Sequence, residues 1–178
     1  TNSLQTVNSI NLNATNGTIS SGSTQNLNIG ENNLTLKQEG TTALSSQAIN
    51  RAFAYTISGL QQDVTITSGP KTIALEQKAA NIGNSNSQAI NEVISSTSTG
   101  AAINSLTQKV NGSSDIDISL QQTGATSNVQ AINLIRAGQL SNTADAVTQT
   151  INSRLALFKQ NTTTKGMQMG NGLIILDN

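Results

Sequence analysis

A five-residue pattern recurs six times along the chain and restricts the fold more than any other feature. It consists of a branched aliphatic residue, a variable residue, glutamine, another variable residue, and a small or branched apolar residue. Successive side chains of a β-strand point to opposite faces, so the first, third and fifth residues of the pattern share one face. The six glutamines are Gln38, Gln62, Gln77, Gln108, Gln122 and Gln149. The pattern therefore predicts strands that carry glutamine on their apolar face.

An amide on an apolar face needs a hydrogen-bond partner, because burial of an unpaired amide is unfavourable by a few kcal/mol. Glutamines that stack on one another meet this need, as in the amide ladders between stacked strands. A half-exposed sheet face with solvated glutamines is the alternative interpretation. The recurrence of glutamine at the same offset favours the ladder.

A second motif, Gln-Ala-Ile-Asn, begins at Gln47, Gln88 and Gln130. The spacing defines a repeating unit of about 42 residues, and self-similarity at a fixed period is typical of solenoids. We predict a three-repeat β domain at residues 33–160 and assign these three glutamines to the same ladders. An irregular β segment at residues 1–32 precedes it, and a turn with an apolar strand at residues 161–178 follows it.

The predicted fold class is all-β, either a repeat-containing β-solenoid or a subunit of stacked β-sheets. A pilin-like β-sandwich with strand exchange between subunits is the alternative. The Asn16-Gly17 pair predicts a hairpin turn. One stretch near residues 143–159 also fits a helix, since Val147, Ile151 and Phe158 follow helical spacing.

The segments Leu34–Gly40 and Ile116–Gly124, each followed by a second glutamine at Gln47 or Gln130, resemble the repeat of curlins, the subunits of curli fibres. The resemblance covers about residues 33–151. It implies that the repeats are strand-turn-strand units that stack as a β-solenoid. It also implies that glutamine and asparagine ladders drive the growth of an extracellular fibre.

The composition excludes several kinds of chemistry. The chain has 178 residues, of which 10% are charged and 2% aromatic, and it contains no His and no Cys. His-based triads, thiol nucleophiles and ligand sets that need His or Cys are therefore excluded. We predict no enzyme activity, no cofactor and no metal site. The formal net charge of zero argues against nucleic-acid partners, and no apolar run is long enough for membrane insertion.

Two apolar segments are candidates for strand exchange, because an open sheet edge invites another strand. The alternative is that each segment closes its own sheet. The candidate residues are Ile10, Leu12, Leu173, Ile174, Ile175 and Leu176.

These features predict a structural subunit of a secreted extracellular filament, such as a biofilm fibre, whose partner is another copy of itself. The first residue is Thr1, which we interpret as the start of a chain whose leader has been removed. The sequence does not identify a secretion channel or a nucleator. The alternative function is a monomeric extracellular β-repeat module that binds carbohydrate or ice, although sugar sites commonly use aromatic residues.

Overall fold

The computed structural model describes residues 3–12, 16–30, 32–40, 44–67, 71–79, 87–96, 101–112, 116–126, 129–137, 147–153, 155–164 and 166–175. These residues form fourteen β-strands and no helix. In chain order the strands are β1 (Ser3–Asn11), β2 (Thr18–Ile19), β3 (Thr24–Ile29), β4 (Leu34–Gly40), β5 (Leu44–Ala54), β6 (Thr56–Ile66), β7 (Lys71–Ala79), β8 (Ser87–Ser95), β9 (Ala102–Gly112), β10 (Ile116–Thr126), β11 (Val129–Ala137), β12 (Val147–Ile151), β13 (Leu155–Thr164) and β14 (Met167–Ile175).

The strands form three parallel sheets, and the chain visits the sheets in turn. The first sheet has the order β1-β5-β8-β11-β14, and the third has the order β4-β7-β10-β13. The second sheet has the order β2-β6-β9-β12, with β3 also paired to β6. Each passage through the three sheets is one coil of a three-sided solenoid. The predicted all-β solenoid is confirmed.

Each coil repeats the sequence unit in register. Gln88 pairs with Gln47 on one side and with Gln130 on the other, so identical positions of the Gln-Ala-Ile-Asn motif lie above one another. The unit of about 42 residues is therefore one complete coil that contributes a strand to each sheet. The five-residue pattern falls once on the second sheet and once on the third sheet of a coil, as at Gln62 and Gln77.

In the second and third sheets, the interior is filled by the alternate residues of each strand. In β6, Leu60, Gln62 and Val64 are buried, whereas Gln61 is exposed. The main apolar cluster takes residues from all three sheets, including Ile49, Val64 and Leu75. Stacking of like residues in successive coils thus produces one continuous core along the solenoid axis.

The helical alternative for the stretch near residues 143–159 is wrong. Val147–Ile151 is strand β12, and Leu155 begins strand β13. Val147 and Ile151 lie in register with Leu106 and Val110 of β9, so they extend two apolar columns of the preceding coil. β-Branched residues suit this pleated surface, and stacking on β9 outweighs the helical spacing. Residues 143–146 lie outside the described part of the chain.

The sandwich alternative is also wrong, because every described strand pair is parallel. Asn16 has φ of 69°, as a tight turn requires, but it lies between β1 and β2, which belong to different sheets. The predicted hairpin is therefore a corner of the solenoid. The strands of residues 1–32 join the same sheets as the repeats, and β14 extends the first sheet beyond residue 160.

Candidate functional site

A glutamine ladder runs through the whole first sheet. Gln47 donates its side-chain Nε2 to the Oε1 of Gln5 at 2.6 Å, and Gln88 donates in the same way to Gln47 at 2.8 Å. Gln130 donates to Gln88 and Gln168 donates to Gln130, both at 2.9 Å. Each donor belongs to the later coil, so this ladder has a direction along the solenoid axis.

The second hydrogen of the interior amide nitrogens, those of Gln47, Gln88 and Gln130, is also used, because it points at the backbone of a neighbouring sheet. Gln88 Nε2 lies 2.8 Å from the carbonyl oxygen of Leu75, which belongs to the third sheet. Gln130 Nε2 lies 3.2 Å from the carbonyl oxygen of Lys159, which also belongs to the third sheet. Each amide therefore links two coils and two sheets, which explains how glutamine side chains with zero exposure are tolerated in the interior.

The second and third sheets each contain one further glutamine ladder with the same direction. In the second sheet, Gln62 donates to Gln25 at 2.7 Å, and Gln149 donates to Gln108 at 2.8 Å. The link between the two pairs is the bond from Gln108 to Gln62 at 2.8 Å. In the third sheet the ladder has four rungs, in the order Gln38, Gln77, Gln122 and Gln160.

An asparagine ladder in the first sheet runs in the opposite direction. Asn8 donates its Nδ2 to the Oδ1 of Asn50, and Asn50 donates to Asn91, both at 2.8 Å. Asn91 donates to Asn133 and Asn133 donates to Asn171, both at 2.9 Å. Here each donor belongs to the earlier coil. The first sheet thus carries two amide ladders of opposite polarity.

The structure places all nine predicted glutamines in these ladders within a single chain. Gln47, Gln88 and Gln130 lie in the first sheet; the six glutamines of the five-residue pattern are divided between the second and third sheets. Nine further ladder residues were not predicted, although three of them, Asn50, Asn91 and Asn133, end the Gln-Ala-Ile-Asn motif. The other six are Gln5, Gln25, Gln160, Gln168, Asn8 and Asn171. A search for Gln-x-x-Asn would have found the first-sheet residues, since Gln5 and Gln168 have the same spacing to Asn8 and Asn171 as the three Gln-Ala-Ile-Asn copies.

The predicted exchange segments both pair within their own chain. Ile10 lies in β1, where it packs against an apolar cluster, and Leu12 follows β1 and is exposed. Leu173, Ile174 and Ile175 lie in β14, and Leu176 lies outside the described residues. Leu173 is 49% exposed although β14 pairs with β11.

The two ends of the solenoid expose positions that are buried in the middle coils. Leu75 and Leu120 are fully buried, whereas Leu36 and Phe158, at the two ends of the same column, are only partly buried. Large exposed apolar side chains also concentrate there, namely Leu4, Val7 and Leu12 at the N-terminal end and Leu157, Met167 and Leu173 at the C-terminal end. The end coils therefore offer apolar surface along the solenoid axis.

The open ends also leave ladder atoms without a partner. Within the described residues, Gln149 Oε1 accepts no hydrogen bond, and Gln25 Nε2 has only the carbonyl oxygen of Arg51 as acceptor, at 3.0 Å. A surface cleft beside Gln25 at the N-terminal end is lined by Asn8, Ile10 and Asn26, among others. In the second-sheet ladder, the C-terminal end thus presents an acceptor and the N-terminal end presents a donor.

One charged cluster is buried in the first sheet. Glu92 has no exposed surface, and its Oε2 lies 3.0 Å from the Nε of Arg51. Its Oε1 lies 3.9 Å from the Nη1 of Arg136 and accepts a hydrogen bond from the Oγ of Ser87. These contacts compensate the carboxylate, whose burial would otherwise be strongly unfavourable.

Comparisons with protein-family models, with curated proteins and with solved structures give no match to this chain. The described part of the chain contains no apolar helix of membrane-spanning length. It also contains no group of three or more carboxylate residues placed to hold a metal ion.

Proposed function

We propose that this protein is a structural subunit that stacks end to end into a filament. The observation that carries the proposal is the pair of open solenoid ends, where core columns and amide ladders stop without a covering element among the described residues. Another copy of the chain supplies the same columns and the same ladder polarity. A contact between unlike ends does not close on itself, and it therefore produces an open filament.

The driving force for such stacking is the one that stacks the coils within the chain. A new copy covers core residues that are only partly buried at the two ends, such as Leu36 and Phe158, which contributes about 25 cal/mol for each Å² of apolar surface removed from water. It also supplies backbone partners for the edge strands, which otherwise present unpaired N–H and C=O groups. Neither contribution requires a nucleotide or a cofactor.

The proposed location of the filament is outside the cell, in a biofilm matrix or on a surface. The resemblance of residues 33–151 to curlin repeats supports this location. The low charge content supports self-association, because little electrostatic repulsion opposes contact between copies.

Electron microscopy of the purified chain in negative stain tests the proposal. We expect unbranched filaments whose strands lie across the axis and give a meridional reflection at about 4.8 Å in fibre diffraction. Growth should be accelerated by fragments of preformed filaments. A protein that stays monomeric in sedimentation at all concentrations, with or without such fragments, would contradict the proposal.

A further inference from the structure

The three sheets do not contain the same number of layers. Among the described residues, the first sheet has five strands, from β1 to β14, whereas the third sheet has four. The second sheet also has four layers, because β2 and β3 both pair with β6. The C-terminal end is therefore uneven, and β14 projects one strand beyond β12 and β13.

This projection conflicts with the stacking of two copies. If β3 and β4 of the next copy pair with β12 and β13, the next copy is displaced by four layers along the axis. Its β1 then falls on the position of β14, because β1 and β14 are four layers apart in the same sheet. Displacement by five layers instead keeps β14 in place, but it leaves a gap of one strand in the second and third sheets.

β1 and β14 carry their amides in the same register, although β1 pairs with β5 through the edge opposite to the one that would meet β11. Gln168 pairs with Gln130 and Asn171 with Asn133 on β11. Gln5 and Asn8 have the same three-residue spacing and pair with the equivalent residues of β5. Either strand can therefore extend both amide ladders of the first sheet.

β1 is the better strand of the two. In this alignment β14 has Gly170 and Gly172 where β1 has Val7 and Ser9. Glycine weakens a strand interior, whereas β-branched residues favour it. A Cβ atom at Gly172 would lie 1.8 Å from the Sδ of Met169, so the flexible Met169 side chain occupies the space that a larger residue would need.

We infer that the edge of β11, which β14 covers in the single chain, is the site that receives β1 of the next copy. β14 is then a replaceable strand that protects this edge until a second copy arrives. The inference rests on the proposed function, because it specifies where and in which register the copies meet.

The hydrogen bonds at the exchanged edge have the correct polarity. Gln130 Oε1, which accepts from Gln168 at 2.9 Å in the single chain, accepts from Gln5 Nε2 of the next copy. Asn133 Nδ2, which donates to Asn171 at 2.9 Å, donates to Asn8 Oδ1 of the next copy. In the second sheet, Gln25 Nε2 of the next copy donates to Gln149 Oε1, so these three ladders continue without a reversal.

A reversible covalent lock tests this exchange in the full-length chain. Ala131 and Met169 are in-register partners on β11 and β14, and neighbouring parallel strands are close enough for a disulfide. The double variant Ala131→Cys with Met169→Cys holds β14 on β11 when oxidised. The chain has no cysteine of its own, so no other disulfide competes. The matched control is Ala48→Cys with Ala89→Cys, which locks β5 to β8 in the same column.

We expect the oxidised β11–β14 lock to slow filament growth at least tenfold, with recovery when the disulfide is reduced. The control lock should grow equally well in both states. The repeat of the filament along its axis should be about 19 Å, for four strand spacings, and not about 24 Å, for five.

Equal growth of the oxidised and reduced β11–β14 lock, or a repeat of about 24 Å, would overturn the exchange and leave the filament function intact. Absence of filaments from the unmodified protein would overturn the proposed function, and the exchange with it.

Discussion

Asn50 donates its side-chain amide to Asn91 at 2.8 Å, in the direction opposite to the donation from Gln88 to Gln47 three residues earlier on the same pair of strands. The two amides of each first-sheet strand thus tie it to both neighbours. Because both members of a bonded pair are buried, the loss of one amide leaves its partner unsatisfied.

Replacement of one interior glutamine of the first-sheet ladder should destabilise the solenoid. Gln88→Leu leaves the Oε1 of Gln47 without its donor and the Nε2 of Gln130 without its ladder acceptor, and the carbonyl of Leu75 also loses a bond. We expect the free energy of unfolding to fall by about 3 kcal/mol, as measured by denaturant titration. Gln61→Leu is the control, since Gln61 is exposed, and it should change stability by less than about 0.5 kcal/mol. Similar losses for both variants would show that the ladder does not contribute.

A charge on the inward face of an end strand should block stacking. Leu36 is partly buried at the N-terminal end of a core column, and Phe158 of the preceding copy would cover it. Leu36→Asp should raise the critical concentration for filament growth at least tenfold, or about 1.4 kcal/mol, because the carboxylate would be buried at the junction. Thr35→Asp places the same charge on the exposed face of the same strand and should have little effect. Equal inhibition by both variants would indicate a general effect of charge.

The third sheet contains a pair of like charges at the proposed junction. Lys37, Glu76, Gln121 and Lys159 form one column, so Lys159 of one copy would face Lys37 of the next. Lys159→Glu replaces this repulsion by attraction, and its partner within the chain, Gln121, is neutral.

We therefore expect Lys159→Glu to lower the critical concentration about two- to fivefold at low salt, consistent with cross-strand pairs of about 0.2–1 kcal/mol. Sedimentation of filaments at low and high salt measures the effect, which should be screened in about 1 M salt. An unchanged critical concentration at low salt would argue against this register in the third sheet.

The buried carboxylate of the first sheet should be important for stability. Glu92→Ala removes the buried carboxylate that pairs with Arg51 and lies near Arg136, and we expect a loss of about 3–5 kcal/mol in thermal or denaturant unfolding. Glu76→Ala breaks the exposed pair with Lys37 and should cost less than about 1 kcal/mol. A small effect at Glu92 would mean that solvent replaces the lost partner.

The sequence predicts the ladder in the second and third sheets because regular alternation holds there. Leu60, Gln62 and Val64 obey it, and the same rule applies to each copy of the five-residue pattern. Gln160 does not match the pattern because the aromatic Phe158 occupies the first position, where the pattern requires an aliphatic residue. Gln25 does not match it because Ser23 occupies the same position.

The asparagine ladder is harder to predict because alternation breaks in the first sheet. Gln47 and Asn50 are three residues apart, so a regular strand would place them on opposite faces. In the structure Gln47 donates to the carbonyl oxygen of Leu36 in the third sheet, and Asn50 donates to that of Asp63 in the second sheet. Between Gln47 and Asn50, strand β5 therefore turns from facing the third sheet to facing the second sheet. The helical alternative near residues 143–159 is wrong for a different reason. The spacing of Val147 and Ile151 along the chain does not show that both residues stack on strand β9.

The opposed polarity of the amide ladders gives a stack of copies two chemically different tips. A copy that met the N-terminal tip in the reversed orientation would bring donors to donors in the glutamine ladders and acceptors to acceptors in the asparagine ladder. Copies in the proposed filament would therefore share one orientation, and a factor that initiates this filament would have to present matching amides to all three sheets.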